Sequence, residues 1–345
     1  MKHARSIFRF LVNAARRGER TVLVTLVAVE GSASRAPGTH MAVSETGAFA
    51  GSMSGGCVEA AVVGEAQRVL ASGAAELVRF GAGSRYMDIR LPCGGGIDLL
   101  FSPDPSLAVI EGAYEALEAR NPVELVLGLD GAVSLADQSR SAASGAIHVR
   151  HEPDLRLMIV GHGAEPEAFA RLGTAHGADV RVLSPDDKLV ARLAASGIDA
   201  VHLRTPAPSP HLVGDSHSAI IFLFHDHDWE SALLRQALGL GAFFVGAMGS
   251  RATHRRRVAA LADAGVTQAD IDRIVGPLGL IPATRDPETL ALSALSQIVA
   301  MQSGPGNVTD RCVNHVDAPN LPLKRCVNIG YTATALPRRR GRHDP

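Results

Sequence analysis

Two cysteines stand out by their neighbours. Cys57 closes the run Ser52-Met53-Ser54-Gly55-Gly56-Cys57, and Val58-Glu59 after it opens a helical pattern reaching about Ala71. Cys93 opens Cys93-Gly94-Gly95-Gly96, directly before the apolar run Ile97–Phe101. A thiol at a helix N-terminus is drawn toward thiolate by the helix's partial positive charge, and adjacent glycines let a ligand come close to the backbone. That combination suits sulfur transfer or contact with a soft metal. Ser52 and Ser54 add hydroxyl donors. Arg35, within Gly31-Ser32-Ala33-Ser34-Arg35-Ala36-Pro37-Gly38, adds a guanidinium fork of the kind that grips phosphate. A lone cysteine is more often a small core residue; two of them, each tied to glycines in a short loop, favour chemistry.

A second group lies downstream. Gly161-His162-Gly163 follows the apolar run Leu155–Val160 and precedes a helix expected from about Pro166 to His176. This is the placement of a dinucleotide loop, where glycines allow a tight turn and the helix N-terminus faces phosphate. Asp186 and Asp187 fall roughly where a ribose-binding acid would. Pro166, however, occupies the place of the third glycine, and Glu165 sets negative charge where pyrophosphate would approach. Ordinary NAD(P) binding is therefore disfavoured, leaving another phosphate-bearing ligand or a bare turn.

His225-Asp226-His227-Asp228, after the apolar run Ser218–Phe224, carries metal-ligand types in alternation; the same residues fit a solvated or capping loop. Gly249-Ser250-Arg251 begins a helix on which Arg251 and His254 share a face that could meet an anion, unless Arg255-Arg256-Arg257 simply make a solvated basic face. No nucleophile–His–acid signature, Walker loop or HExxH appears, which argues against a hydrolase.

The elements that must hold these residues read as two α/β halves. A helix over about residues 4–17, a long apolar strand at Thr21–Val29, short strands around His40–Val43 and Ala48–Gly51, and a helix and strand over 105–127 make the first. Strand–helix alternation from Leu155 onward makes the second a doubly wound parallel sheet. Thr267-Gln268-Ala269-Asp270 resembles a capping box, and Asp286-Pro287 pairs an N-cap with proline in the first turn. Boundaries are expected at 1–150, 151–303 and a tail over 304–345, with a linker near 145–155. Four cysteines without a CxxC pair suggest neither a disulfide framework nor a structural zinc site. A formal net charge of −1 gives no footprint for nucleic acid, and no apolar run reaches membrane-spanning length. The cytoplasm is the expected compartment.

The long motifs GSASRAPGTHMAVSETGAFAGSMSGGCVEAAVVGEA (31–66), LPCGGGIDLLF (91–101), VGHGAEPEAFARLG (160–173), FFVGAMGSRATHRRRVAALADAGV (243–266) and GPLGLIPATRDPETLALSALSQIVA (276–300) resemble the XdhC/CoxI family of xanthine dehydrogenase accessory proteins. The likeness covers about residues 5–302. It implies an N-terminal α/β domain bearing the cysteine motifs and a C-terminal Rossmann-like domain. It further implies binding of molybdenum cofactor and work with a cysteine desulfurase that replaces a molybdenum oxo ligand by sulfido. The product would pass to an apo xanthine-dehydrogenase-type enzyme. With the loop residues already singled out, the cofactor-binding candidates are Arg35, Ser54, Gly55, Gly56, Cys57, Glu59, Cys93, Gly94, Gly95, Gly161, Gly163, Ser250 and Arg251; by that likeness Cys57 and Cys93 become the soft contacts to molybdenum or its sulfur. The expected role is that of an assembly chaperone, not a turnover enzyme, with homodimerisation as a further expectation. An NAD(P)-dependent oxidoreductase built on Gly161, Gly163 and Asp186 or Asp187 is the rival reading, and a bare scaffold between desulfurase and dehydrogenase a third.

Overall fold

A computed structural model describes residues 4–56, 58–86, 94–136, 145–225 and 228–303. Cys57, Cys93, Asp226, His227 and the tail from 304, with Cys312 and Cys326, lie outside the described residues.

The N-terminal half runs α1 (Ala4–Arg16), β1 (Thr21–Glu30), β2 (His40–Ser44), β3 (Phe49–Gly51), α2 (Glu59–Ser72), β4 (Glu76–Gly81), β5 (Gly96–Pro103), α3 (Leu107–Glu118), β6 (Val123–Leu127), β7 (Val133–Leu135) and β8 (Ile147–His151). Strands β3-β2-β1-β5-β4 form one antiparallel sheet. β1 is buried on both faces because it is central, which is why Thr21–Val27 is an unbroken run without polar alternation. On one face α1 and α3 cover the sheet with Ile7, Phe8, Leu11, Ile110 and Leu117; on the other α2 seats Val62, Ala66 and Val69 against Val24, Leu26 and Phe101. A small sheet β7-β6-β8 closes the α1/α3 side.

The second half runs β9 (Arg156–Gly161), α4 (Ala164–His176), β10 (Asp179–Ser184), α5 (Asp187–Ala195), β11 (Asp199–His202), β12 (Ser218–Leu223), α6 (Glu230–Leu238), β13 (Phe244–Ala247), α7 (Arg251–Asp263), α8 (Gln268–Ile271), β14 (Ile274–Val275) and α9 (Pro287–Ser303). Its six strands are parallel and ordered β11-β10-β9-β12-β13-β14. Counted from β9, that is the 3-2-1-4-5-6 order of the Rossmann fold. Thr267 caps α8 by accepting from the Asp270 amide, and Asp286 caps α9 by accepting from Thr289. Among the described residues no helix is long and apolar enough to cross a membrane.

One stretch departs from expectation. The linker expected near 145–155 holds strand β8 instead, whose alternating burial (Ile147, Val149 and His151 inward) completes the small sheet. His151 meets His40 there, Nε2 to Nε2 at 3.2 Å; both rings are fully buried, and burial pushes His40 down to about 3 and His151 well below its ordinary range. The halves are then joined along the amino edge of the parallel sheet. Arg120, in a left-handed conformation after α3 (φ 61°), pairs bidentately with Asp215 and donates to the carbonyls of Asp154 and His217. Although burial opposes it, Arg120 and Ser218 hold the Asp215 carboxyl far below the usual carboxylate range.

Candidate functional site

Three loops of the N-terminal half leave one end of its sheet. β1 finishes there at Glu30; antiparallel β2 starts there at His40; β3, antiparallel to β2, finishes at Gly51. β5 runs against β1 and starts at Gly96, and β4 runs against β5 and finishes at Gly81. Topology alone therefore gathers the loop carrying Arg35, the loop carrying Ser52–Gly56, and the loop that returns through Gly94–Gly95. Two of them touch. The Cα of Gly95 is 3.4 Å from where a side chain on Gly31 would begin, and a Cβ on Gly95 would lie 2.5 Å from the carbonyl oxygens of both Glu30 and Ser32. Gly95→Ala should thus force the two loops apart and cost about 1–3 kcal/mol in stability. Urea denaturation checks this; a change within about 0.5 kcal/mol, the range of an ordinary surface substitution, would mean the contact is absent in solution.

Glu59 organises the middle loop. Its Oε1 accepts from the Ser52 hydroxyl (2.7 Å) and from the amides of Met53 and Ser54 (3.0 Å each); Oε2 accepts from the Val58 amide at 3.2 Å. Burial alone would push this carboxyl up, but the Ser52 hydroxyl and the amides outweigh it and hold it at about 2. The Ser52 oxygen in turn accepts from the Gly55 amide (2.9 Å). Gly55 and Gly56 carry φ of 80° and 117°, open to glycine at no cost, and a Cβ on either would meet nothing within 4 Å. The loop thus presents bare backbone outward over an anionic brace. Glu59, a sequence candidate for cofactor contact, is buried and spent on the loop itself. Arg35 is exposed and donates to the Ser34 carbonyl.

A clamp that residue types did not single out lies beside this end. Glu65 on α2 accepts from Tyr86 Oη and from the guanidinium groups of Arg68 and Arg85, while Tyr86 stacks on Phe80 with centroids 5.1 Å apart. It fixes Arg85 and Tyr86 against α2. Arg79, Glu30 and Asp98 form a second unforeseen group. The available signal was charge placed within or at the end of otherwise apolar strands.

The remaining candidates gather elsewhere, at the carboxyl edge of the parallel sheet. Gly161 packs so tightly on β12 that a Cβ would sit 2.4 Å from the Leu223 carbonyl. Gly163 (φ 96°) ends the turn, but the Glu165 carboxylate folds back to 3.0 Å from its Cβ position and pairs with His225 at 3.2 Å. The protein's own anion therefore occupies the N-terminus of α4, where a pyrophosphate would otherwise sit. Asp186 is likewise spent, capping α5 through the amides of Lys188 and Leu189.

Two expectations for α7 are corrected. Ser250 Oγ caps the helix by accepting from the Thr253 amide, but His254 does not share an anion face with exposed Arg251. Its ring lies against Gly276, with Nδ1 2.2 Å from where a Cβ would begin and without a partner. Nor is the arginine run a solvated face throughout. Arg257 points inward, paired with Glu230 through Nε (3.0 Å) and a terminal nitrogen (2.9 Å), and donates to the Met248 carbonyl. Among the described residues no three His, Cys, Asp or Glu side chains are grouped to hold a metal.

Similarity to known proteins now adds to this geometry. Residues 157–298 match the XdhC Rossmann domain, and residues 14–81 match the XdhC and CoxI family. The molybdenum cofactor insertion chaperone PaoD of Escherichia coli (strain K12) is 37% identical over 305 residues, covering 86% of this chain and 88% of that one. The chain belongs to the XdhC and CoxI family. The family fold extends to a Bacillus halodurans crystal structure described as a xanthine dehydrogenase, at a TM-score of 0.68 and 20% identity, covering 87% of this chain and 98% of that one. For an XdhC/CoxI member the two groupings have distinct positions. One lies on the loops of the N-terminal sheet; the other lies at the carboxyl edge of the Rossmann sheet, opposite the amino edge where the halves join.

Proposed function

We propose that this chain holds molybdenum cofactor as cargo and assists its sulfuration and insertion into a xanthine-dehydrogenase-type apo-enzyme. A cysteine desulfurase would supply the sulfur, and the chain would act as a chaperone without turnover of its own. The observation that carries the reading is the convergence of three glycine-bearing loops at one sheet end, joined to the likeness to PaoD. The cargo is a pterin dithiolene with a terminal phosphate. It needs backbone N–H donors, a cationic fork and soft sulfur neighbours. The open backbone at Gly55, Gly56 and Gly94 and the guanidinium of Arg35 suit the first two needs. Cys57 and Cys93, at the borders of the same loops, are the proposed soft contacts.

Within this reading Ser54, Gly55, Gly56 and Gly94 form the surface the cargo meets, the buried Gly95 only holds two of the loops together beneath it, and Glu59 acts through the loop it braces. Gly161, Gly163, Ser250 and Arg251 are a second region, not part of the same cradle. The back-folded Glu165 and the capping role of Asp186 weigh against the NAD(P)-dependent alternative. The proposed halves are residues 1–150 and 151–303, followed by the tail over 304–345.

The test is to purify the protein from cells that make the cofactor and to measure bound molybdenum and pterin. Wild type should carry both, and a Cys57→Ala/Cys93→Ala variant of equal stability should carry far less. Equal contents in the two proteins would overturn the assignment of the thiols, and none in either would overturn the carrier role.

A further inference from the structure

Arg79 leaves β4 at the end of the sheet where the three loops emerge. Its Nε donates to the Ala82 carbonyl at 2.7 Å, one terminal nitrogen faces both Asp98 oxygens at 3.3 and 3.5 Å, and the other meets Glu30. The guanidinium lies over the start of β5, where a Cβ on Gly96 would sit 2.7 Å from its nitrogen. Gly95, the next residue back, is the one wedged against the carbonyls of Glu30 and Ser32. The cation is therefore built into the same strip of bare backbone that borders the candidate cradle.

The two carboxylates that share it are not equivalent. The Asp98 side chain is 13% exposed and fixed within β5, whereas that of Glu30 is 66% exposed at the last residue of β1. Burial pushes the Asp98 carboxyl up; Arg79 pulls it back and Glu30 pushes it again, so the second carboxylate adds repulsion to the first. An exposed ion pair of this kind is worth little and exchanges readily. A phosphate monoester carries more negative charge than a carboxylate and has a third oxygen, so it can take the place of one carboxylate on the guanidinium with a stronger charge-assisted contact.

We propose that Arg79 is a receptor for the phosphate group of the cargo, and that Glu30 is an internal anion holding that place until phosphate displaces it. The assignment rests on the carrier reading above and deepens it. A purely structural triad would have both ends of the Arg79–Glu30 pair act in one direction. A phosphate receptor with a displaceable placeholder has them act in opposite directions.

Full-length wild type, Arg79→Gln and Glu30→Gln would be purified from the same cofactor-producing cells, and retained pterin measured by fluorescence after oxidative release. Unfolding midpoints would be recorded alongside. Arg79→Gln should retain about tenfold less pterin, the scale of one lost charge-assisted contact, and Glu30→Gln about threefold more. Washing with excess inorganic phosphate should strip pterin from wild type, and leave unchanged whatever remains on Arg79→Gln. Losses in both variants, or an unchanged Arg79→Gln, would overturn the phosphate assignment while wild-type retention still supports the carrier role. A wild type that retains no pterin would overturn both.

Discussion

Glu59→Gln should destabilise the protein by about 3 kcal/mol at neutral pH, and the loss should vanish in acid. The carboxylate accepts from the amides of Met53, Ser54 and Val58 and from the Ser52 and Ser54 hydroxyls, so an amide in its place turns one acceptor into a donor aimed at donors. The folded-state value of about 2 lies below the ordinary 4.5, so the stabilisation is present in full above the unfolded value. It is then lost as pH falls from roughly 4.5 toward 2. Urea unfolding of both proteins across that window should show the gap between them closing. A gap of constant size down to acid pH would mean that the charge on Glu59 does not organise the loop. Retained pterin should fall in parallel at neutral pH, because Glu59 holds the Ser54 amide directly and the Gly55 amide through Ser52.

Arg257→Met should cost about 3–5 kcal/mol by taking the guanidinium away from the buried Glu230 carboxylate. Both side chains are 3% exposed, so water cannot replace the lost partner. The double variant Glu230→Gln/Arg257→Met should recover most of the loss, since a buried ion pair contributes little over a well-packed neutral pair. The four proteins of this cycle, unfolded in urea, give the coupling directly. A cost below about 1 kcal/mol for Arg257→Met, in the range of an exposed pair, would place the pair at the surface in solution.

Much of the architecture was legible because burial writes itself into residue order. The unbroken apolar runs of β1 and β12 mark central strands, and the strand–helix rhythm after Leu155 marks a parallel sheet. Helix starts at Thr267 and Asp286 were readable because capping is local chemistry. Short strands were missed for the opposite reason. β4 (ELVRFG), β7 (VSL) and β11 (DAVH) owe their pairing to neighbours distant in the chain, and their own sequences carry charge or too few residues to show a period. At the site, Arg35 and the glycine loops were visible as types in a pattern, while Arg79 and Glu30 were not. A single charge at a strand end acquires meaning only when another strand brings its partner. Arg257 misled because a run of three arginines reads as one face, although only one of them faces the protein's interior.

The Arg120 joint has a consequence for descent. Its guanidinium spans the two halves and answers a carboxylate, Asp215, that lies 95 positions away, and its backbone is held in a strained left-handed turn to do so. Each residue has other hydrogen bonds, but the charge of one is answered across the joint by the other. Across related lineages the two should therefore change together, an arginine lost at 120 being matched by a neutral residue at 215, more often than neighbouring surface positions do.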